Sequence, residues 1–174
     1  MAYPIRHSSS PAMQNEAFAK LGYDYAYLAF EVGADEIEDA VNAIRTLKMR
    51  GSNVSMPNKT LVGQYLDELS PAAEMCGAVN TIVNEDGKLV GHITDGIGFM
   101  AALKDNNIDA IGKKMTIVGA GGAATAIEIQ AALDGVGEIV IFNRKDEFWG
   151  RAVSTVEKIN TRTSSHAVLY DLAD

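Results

Sequence analysis

The feature that most constrains the fold is a glycine-rich turn within KKMTIVGAGGAATAIEIQAAL, between an apolar strand pattern and a helical pattern. Gly119–Ala124 fits G-x-G-x-x-G/A in the strand–turn–helix context that makes this motif informative. Glycine permits a tight turn and close backbone approach, and a helix N-terminus offers amide donors to a pyrophosphate. The motif predicts a dinucleotide site, with a plain strand-to-helix turn as the alternative. Its residues are Gly119, Ala120, Gly121, Gly122, Ala123 and Ala124.

The chain after this turn predicts a parallel sheet. A second strand lies in GEIVIFNRKDEF, a helix covers roughly residues 153–159, and a third strand lies in HAVLYDL. The second strand ends at Asn143, Arg144 and Asp146, where the adenosine ribose of a dinucleotide would lie. Arg144 could bind the 2′-phosphate of NADP, whereas Asp146 would accept from the free hydroxyl of NAD and repel a phosphate. Both cofactors stay open, with NAD slightly favoured, and a solvated loop is the alternative.

The first hundred residues predict a separate α/β region. Helical patterns occupy SPAMQNEAFAKLG, DEIEDAVNAIRTLKMRG, PNKTLVGQYLDEL and SPAAEMCG. Strand patterns occupy YAYLAFEV, NVSM and both sides of a turn at residues 84–87. The predicted fold class is α/β: an N-terminal α/β substrate domain over residues 1–100, then the first βαβαβ half of a Rossmann dinucleotide-binding domain over residues 101–174, incomplete. The boundary is expected near Gly98–Lys104.

Several helix ends and inward faces follow from these patterns. Ser10 is a suitable N-cap before Pro11, and Ser70 precedes Pro71 in the same way. In the second helix Asp35 can cap and Gly51 can end the helix. Its predicted inward stripe is Ile37, Val41, Ile44 and Leu47, and that of the third helix is Leu61, Tyr65, Leu66 and Leu69.

Composition excludes several classes of function. The 174 residues are 47% apolar and carry a net charge of −8, which argues against nucleic acid as a partner. No apolar run approaches the roughly 20 residues of a membrane span, and the start lacks the apolar core of a signal peptide. The single cysteine, Cys76, excludes an intrachain disulfide and is expected to be a small core residue. With only one cysteine, a cytoplasmic location is expected, and because the three histidines lack metal-ligand spacing, no metal site is expected.

Three polar groups are candidates for chemistry. The serines of RHSSSP stand at a helix start, where hydroxyls and amides suit a carboxylate or simply cap the helix. Lys59 follows Pro57 in NVSMPNK, so it falls in a predicted first helical turn, where a cation is disfavoured by about 0.3–1 kcal/mol. Asp95 stands beside glycines in HITDGIGF, where an ordinary turn residue is the alternative.

Five motifs, HSSSPAMQN, NVSMPNK, GAVNTIV, TDG and GAGGAATAI, occur in the order and approximate spacing of the shikimate dehydrogenases, across essentially the whole chain. NRKDEF resembles the quinate/shikimate dehydrogenase branch. The resemblance implies reversible oxidation of shikimate or quinate to the 3-dehydro compound with NAD or NADP, in aromatic amino acid biosynthesis. It implies a catalytic pair, Lys59 and Asp95, and the substrate-binding residues Ser8, Ser10, Ser55 and Asn80.

On this interpretation Lys59 exchanges the hydroxyl proton of the substrate. Its helix-start position and partial burial would favour the neutral amine, and Asp95 would orient it. Ile93 departs from the asparagine usual in the family. Family members also begin earlier and continue further, so the nicotinamide-facing half of the site is expected to be missing. We therefore expect weak turnover and an exposed sheet edge that favours a homo-oligomer.

Two alternatives stay open at this point. One is a truncated, non-catalytic relative that binds substrate or nucleotide without efficient turnover. The other is a different Rossmann oxidoreductase, which would leave the motifs around Lys59 and Asp95 unexplained.

Overall fold

The computed structural model describes residues 1–173, which form six α-helices, two 3₁₀ turns and seven strands. The helices are α1 (Ser10–Leu21), α2 (Ile37–Thr46), α3 (Pro71–Cys76), α4 (Asp95–Asp105), α5 (Gly122–Asp134) and α6 (Trp149–Arg162). The strands are β1 (Gly51–Asn53), β2 (Glu68–Leu69), β3 (Thr81–Glu85), β4 (Lys88–His92), β5 (Lys114–Val118), β6 (Glu138–Asn143) and β7 (His166–Asp171). The 3₁₀ turns are Asn58–Thr60 and Val62–Tyr65. No helix within these residues combines the length and the apolar character needed to cross a membrane.

The chain divides into two compact units. Unit 1 comprises Met1–Glu68 and Ala78–Gly91, and unit 2 comprises Leu69–Gly77 and the residues from His92 onward. This division differs from the boundary predicted near Gly98–Lys104, because those residues lie inside the continuous helix α4. The assignment of residues 1–100 and 101–174 to separate functions stays a prediction.

Unit 1 is built around a small sheet with the order β1-β3-β4-β2. β1 runs antiparallel to β3, with Gly51 opposite Val83. The predicted turn at residues 84–87 is confirmed: Asp86 and Gly87 have φ of 52° and 103°, as a two-residue hairpin turn requires. α2 packs Ile37, Val41 and Ile44 into the core, so three of the four predicted stripe residues are confirmed.

Three predictions about unit 1 are wrong at the ends of α2. Leu47 is 68% exposed, because the helix ends at Thr46 and Lys48 turns the chain with a φ of 52°. Glu36 rather than Asp35 occupies the N-cap position. Gly51 belongs to β1, where a Cβ would lie 2.2 Å from the carbonyl oxygen of Ile82. Glycine is needed there for close strand approach rather than to end the helix.

The strand predicted in YAYLAFEV is not formed. This segment makes one isolated parallel bridge, between Ala2 and Glu31. The side chain of Asn15 on α1 accepts from the amide of Tyr27 at 2.7 Å and donates to its carbonyl at 3.0 Å. A side chain therefore satisfies backbone groups that a neighbouring strand would otherwise bind, and no ladder develops.

The prediction of a helix in PNKTLVGQYLDEL is also wrong. The segment forms the two 3₁₀ turns and then β2, and Val62 is buried in place of the four residues predicted to face inward. Asp67 explains the change of direction, because its amide donates to the carbonyl of Leu89 at 3.0 Å and its carboxylate accepts from the amide of Leu89 at 2.7 Å. Pairing with β4 therefore replaces a continued helix.

Unit 2 confirms the predicted βαβαβ pattern. β5, β6 and β7 form a parallel sheet in that order, with Lys114 opposite Glu138 and Glu138 opposite His166. α6 is longer than the predicted 153–159. α3 packs against α5 and α6, where the Lys158 ammonium donates to the carbonyl of Met75 at 2.8 Å. The N-cap predicted at Ser70 is confirmed.

Candidate functional sites

A cavity of about 190 Å³ in unit 1 brings three of the predicted substrate-binding serines together. Ser8, Ser10 and Ser55 line it, although Ser55 is far from the other two in sequence. The amide of Ser55 donates to the carbonyl of Met1 at 3.0 Å, which holds this segment against the start of the chain. Clustered hydroxyl groups in a small cavity suit a carboxylate or polyol ligand.

The N-cap prediction for Ser10 is wrong by one residue. Ser9 is the N-cap of α1 and makes no side-chain capping bond, and Ser10 is already helical. The amide of Ser10 donates to the hydroxyl oxygen of Ser8 at 3.2 Å. The hydroxyl of Ser10 is therefore not consumed by helix capping and lies at the cavity.

Tyr27, Asn53 and Thr81 extend this site and were not predicted from the sequence. The Tyr27 hydroxyl donates to Asn53 Oδ1 at 3.0 Å, and Asn53 Nδ2 donates to Thr81 Oγ1 at 3.3 Å. Thr81 Oγ1 in turn donates to Asn80 Oδ1 at 2.9 Å. Burial raises the pKa of the Tyr27 phenol, and its hydrogen bond with Ser10 opposes that rise. The network links the cavity to Asn80, the fourth predicted substrate-binding residue.

Lys59 lies in the first 3₁₀ turn of unit 1, and its carbonyl accepts from the amide of Val79 at 2.8 Å. A three-residue turn carries almost no macrodipole, so the predicted mismatch with an α-helix N-terminus is wrong. The neighbouring Asn58 is fully buried and donates from Nδ2 to the carbonyl of Val32 at 2.9 Å, which anchors the turn. Asp95 opens α4 in unit 2. The catalytic pairing of Lys59 with Asp95 stays a prediction.

The glycine turn of unit 2 leads directly into α5 and leaves its backbone uncovered. Gly119 has a φ of 105°, Gly121 is the N-cap, and α5 begins at Gly122. A Cβ added at any of these three glycines would meet no heavy atom within 4 Å among the described residues. The surface above the turn is therefore open to a ligand. The first backbone N–H groups of α5 lie at the helix N-terminus, where they have no acceptor within the helix.

Asn143 ties this turn to the loop after β6. Its Oδ1 accepts from the amide of Ala120 at 3.1 Å, and its Nδ2 donates to the carbonyl of Arg144 at 2.7 Å and to Asp146 Oδ1 at 3.1 Å. Both amide hydrogens are thus committed within the protein. Asp146 Oδ1 also accepts from the amide of Phe148 at 2.9 Å, whereas the Arg144 side chain is 79% exposed. Asn143 and Asp146 shape the loop, and Arg144 presents its guanidinium to solvent.

Glu128 on α5 is a buried acid that sequence reasoning missed. It is 0% exposed, and neither carboxyl oxygen has a hydrogen-bond partner in the part of the chain that the structure describes. Burial raises its pKa from 4.5 to about 8. Cys76, predicted to be a core residue, is half-buried, and burial raises the pKa of its thiol to about 12. Within residues 1–173 no group of three or more His, Cys, Asp or Glu could hold a metal ion.

Known proteins resemble this chain over part or all of its length. Residues 1–82 match the family model described as the shikimate dehydrogenase substrate binding domain. The shikimate dehydrogenase (NADP(+)) of Listeria innocua serovar 6a is 67% identical over 174 residues, which cover 100% of this chain and 60% of that protein.

Two solved structures extend the comparison. Shikimate 5-dehydrogenase from Listeria monocytogenes, in complex with shikimate and NAD, has a TM-score of 0.96 at 67% identity, covering 99% of this chain and 60% of that one. The ligand-free 5-ketofructose reductase of Gluconobacter sp. strain CHM43 has a TM-score of 0.90 at 34% identity, covering 98% and 60%. The chain spans 60% of the length of these relatives.

Proposed function

Because this chain belongs to the shikimate dehydrogenase family, we propose that it takes part in the interconversion of shikimate and its 3-dehydro form by hydride transfer with NAD(P). The cavity of unit 1 is the observation that carries the proposal, because it gathers Ser8, Ser10 and Ser55 from separate segments. Their hydroxyl groups can donate to the carboxylate and accept from the hydroxyls of shikimate. These local donors offset the repulsion expected from a net charge of −8.

In this proposal Lys59 accepts the hydroxyl proton of the substrate. Oxidation of a carbinol requires loss of the hydroxyl proton, and an amine within reach of that hydroxyl can accept it as a general base. Asp95 would orient the ammonium form and stabilise it after transfer. Ser55, which shares the motif NVSMPNK with Lys59, and Asn80, which belongs to the motif GAVNTIV, would bind the remaining hydroxyl groups of the ring.

The glycine turn fits the pyrophosphate of NAD(P), because its backbone is open and its amides lie at the start of α5. When bound there, the nicotinamide cofactor would supply the hydride acceptor. Arg144 can reach a 2′-phosphate, and Asp146 Oδ1 is held within its own loop by the hydrogen bonds that it accepts from Asn143 and Phe148. We therefore propose use of both cofactors; the slight preference for NAD stays a prediction, checked by the ratio of kcat/KM values.

Binding of shikimate tests the site first. In a residue-resolved NMR titration of this chain, saturable shifts are expected at Ser8, Ser10, Ser55 and Asn80. Quinate, titrated in parallel, measures the preference between the two carboxylates. Shifts that avoid all four residues, or no saturation, would contradict the proposed site.

Turnover tests the chemistry separately. Reduction of NAD⁺ and NADP⁺ with shikimate should be measured for the wild-type chain and for Lys59→Ala, with Lys20→Ala as a surface control. Lys59→Ala should lower kcat by about 10²–10⁴ with a smaller effect on affinity. Specific binding without turnover in the wild type would favour the non-catalytic alternative. Unchanged kcat in Lys59→Ala would remove Lys59 from the mechanism.

A further inference from the structure

A second cavity in unit 1 shares no lining residue with the cavity formed by Ser8, Ser10 and Ser55 (the serine cavity). Positively charged side chains line this second cavity. It has a volume of about 440 Å³ and lies between the turn that joins α2 to β1 and the turn of the β3–β4 hairpin. Three cations line it, Arg45, Lys48 and Arg50, together with a single acid, Asp86. In a chain with a net charge of −8, such a group creates a local field that attracts anions.

The walls of this cavity are held in place by hydrogen bonds between the two turns. The Asn84 amide donates to the carbonyl of Arg50 at 3.0 Å, and Asn84 Nδ2 donates to the carbonyl of Met49 at 2.8 Å. Asn84 Oδ1 accepts from the amide of Gly87 at 2.7 Å. The backbone around the cavity is therefore ordered before any ligand arrives, which lowers the entropic cost of binding.

Two of the three cations have no side-chain partner among residues 1–173. Arg45 donates to Asp67 Oδ2 at 2.9 Å, so its charge is largely balanced. Lys48 and Arg50 make no ion pair and no side-chain hydrogen bond with any residue among 1–173, and both are exposed at the cavity. Asp86 lines the same cavity without pairing with either cation. Two positive charges are thus available to one ligand.

Stabilisation of the C-terminus of α2 is the ordinary explanation for cations at this place, but the backbone already binds the last carbonyls. The carbonyl oxygens of Ala43, Ile44 and Arg45 accept from the amides of Leu47, Met49 and Lys48 at 2.9, 3.0 and 3.1 Å, respectively. The side chains of Lys48 and Arg50 are therefore not needed as caps.

We propose that this cavity binds a phosphate dianion, either free or as the terminal group of a small metabolite. Arg50 supplies a planar guanidinium that can bind two phosphate oxygens, and Lys48 supplies a compact charge beside it. The cavity volume falls within the range of about 300–1,000 Å³ usual for small-molecule sites. The proposal is independent of the dehydrogenase chemistry, because it uses none of the residues assigned to that site.

An NMR titration of the chain with inorganic phosphate and with ribose 5-phosphate tests the proposal, against sodium chloride at equal ionic strength. Saturable shifts are expected at the amides of Lys48, Arg50, Asn84 and Gly87. Tighter binding of ribose 5-phosphate would assign the site to a phosphorylated metabolite, and equal affinity would assign it to free phosphate. Shifts confined to the glycine turn, or no saturation beyond the chloride control, would overturn the proposal.

A pair of double variants separates a specific site from general attraction. Lys48→Gln with Arg50→Gln should weaken phosphate binding about tenfold or more, because both charge-assisted contacts are lost. Lys20→Gln with Lys113→Gln removes the same number of charges outside the cavity and should change the affinity by less than about twofold. Equal losses in the two variants would overturn the site. Thermal melts of both variants establish that they are folded.

Discussion

Two helices of this chain begin at a Ser-Pro dipeptide, yet the two serines have different surroundings. At α3, Ser70 has an extended backbone, and its hydroxyl oxygen accepts from the amide of Ala73 at 3.3 Å. At α1, the N-cap is Ser9, and Ser10 already belongs to the helix, with its hydroxyl at the serine cavity. The same dipeptide thus provides a cap in unit 2 and a hydroxyl that lines a cavity in unit 1.

The difference follows from where each helix starts relative to its proline. A serine that accepts from the helix amides is committed to stability and has little capacity left for a ligand. At α1 the helix starts one residue earlier, so Ser10 lies inside the first turn, where it lines the cavity and its hydroxyl bonds with Tyr27. A Ser-Pro helix start therefore does not by itself show whether the serine caps the helix or lines a cavity.

The largest effect that distinguishes the region around α3 from the region around α1 is the effect of pH on the stability of unit 2. α3 packs against α5, whose buried Glu128 has a pKa raised from 4.5 to about 8. Since the folded state holds this proton more tightly than the unfolded state, its stability is greatest below pH 4.5 and falls as the pH rises through about 8. The expected loss is on the order of several kcal/mol in unit 2, and no comparable loss is expected around α1.

Urea unfolding followed residue by residue by NMR, at about pH 5, 7 and 9, measures this loss. Glu128→Gln should make the free energy of unfolding of α5 and α3 less dependent on pH, because it removes the titrating group. Glu85→Gln, an exposed acid on β3, is the matched control. Parallel pH curves for Glu128→Gln and the wild type would show that another group is responsible.

The next largest effect is expected for Ser10→Ala. Loss of a hydrogen bond to a charged carboxylate costs about 1.5–3 kcal/mol, which corresponds to a roughly 10–100-fold weaker affinity for shikimate. The free energy of unfolding of Ser10→Ala should fall by only about 0.5 kcal/mol, because the hydroxyl does not cap α1 and only its neutral hydrogen bond with Tyr27 is lost. Calorimetric titration and urea unfolding measure the two quantities. A stability loss near 1 kcal/mol with unchanged affinity would reverse the roles assigned to Ser10 and Ser70.

Ser70→Ala is expected to do the opposite. Removing an N-cap hydroxyl costs about 0.5–2 kcal/mol of stability and should leave shikimate affinity unchanged. Ser9→Ala is the matched control, because Ser9 occupies an N-cap position without a side-chain capping bond. Urea unfolding of both variants checks the difference, and equal losses would show that the observed capping bond does not matter.

The smallest effect is expected for Tyr27→Phe, which removes the hydroxyl that donates to Asn53 at 3.0 Å and bonds to Ser10. Loss of a neutral hydrogen bond that orients Ser10 should weaken shikimate binding about two- to tenfold, less than Ser10→Ala. Tyr23→Phe, outside the cavity, is the control. If Tyr27→Phe lowers stability but leaves affinity unchanged, the network is structural only.

The regular elements with local signals were predictable. The parallel sheet β5-β6-β7, the β3–β4 hairpin and the Ser70 cap depend on periodicity and turn residues that lie within a few positions of one another. The predictions that failed depend on distant partners. Asn15 satisfies the backbone of Tyr27 from another element, and Asp67 pairs with Leu89, so no local pattern could show that the strand and the helix would be lost.

The residues of the candidate sites also differ in whether a local sequence pattern reveals them. The glycine turn and the serine motif were recognisable in the sequence, because each is a short contiguous pattern. Tyr27 and Glu128 were not, because a tyrosine in an aromatic stretch and a glutamate in a helix carry no signal of their surroundings.

The sequence by itself determined the α/β class, the parallel βαβαβ region, the glycine turn and membership of the shikimate dehydrogenase family. Only the tertiary structure decided that Ser10 is released from capping and that Asn143 and Asp146 form hydrogen bonds with the glycine turn and the loop after β6. It also decided that Glu128 is buried without a hydrogen-bond partner among residues 1–173. The physical reason is that periodicity and backbone conformation are local properties of the chain. Burial, hydrogen-bond partners and charge compensation depend on residues that folding brings together from distant positions.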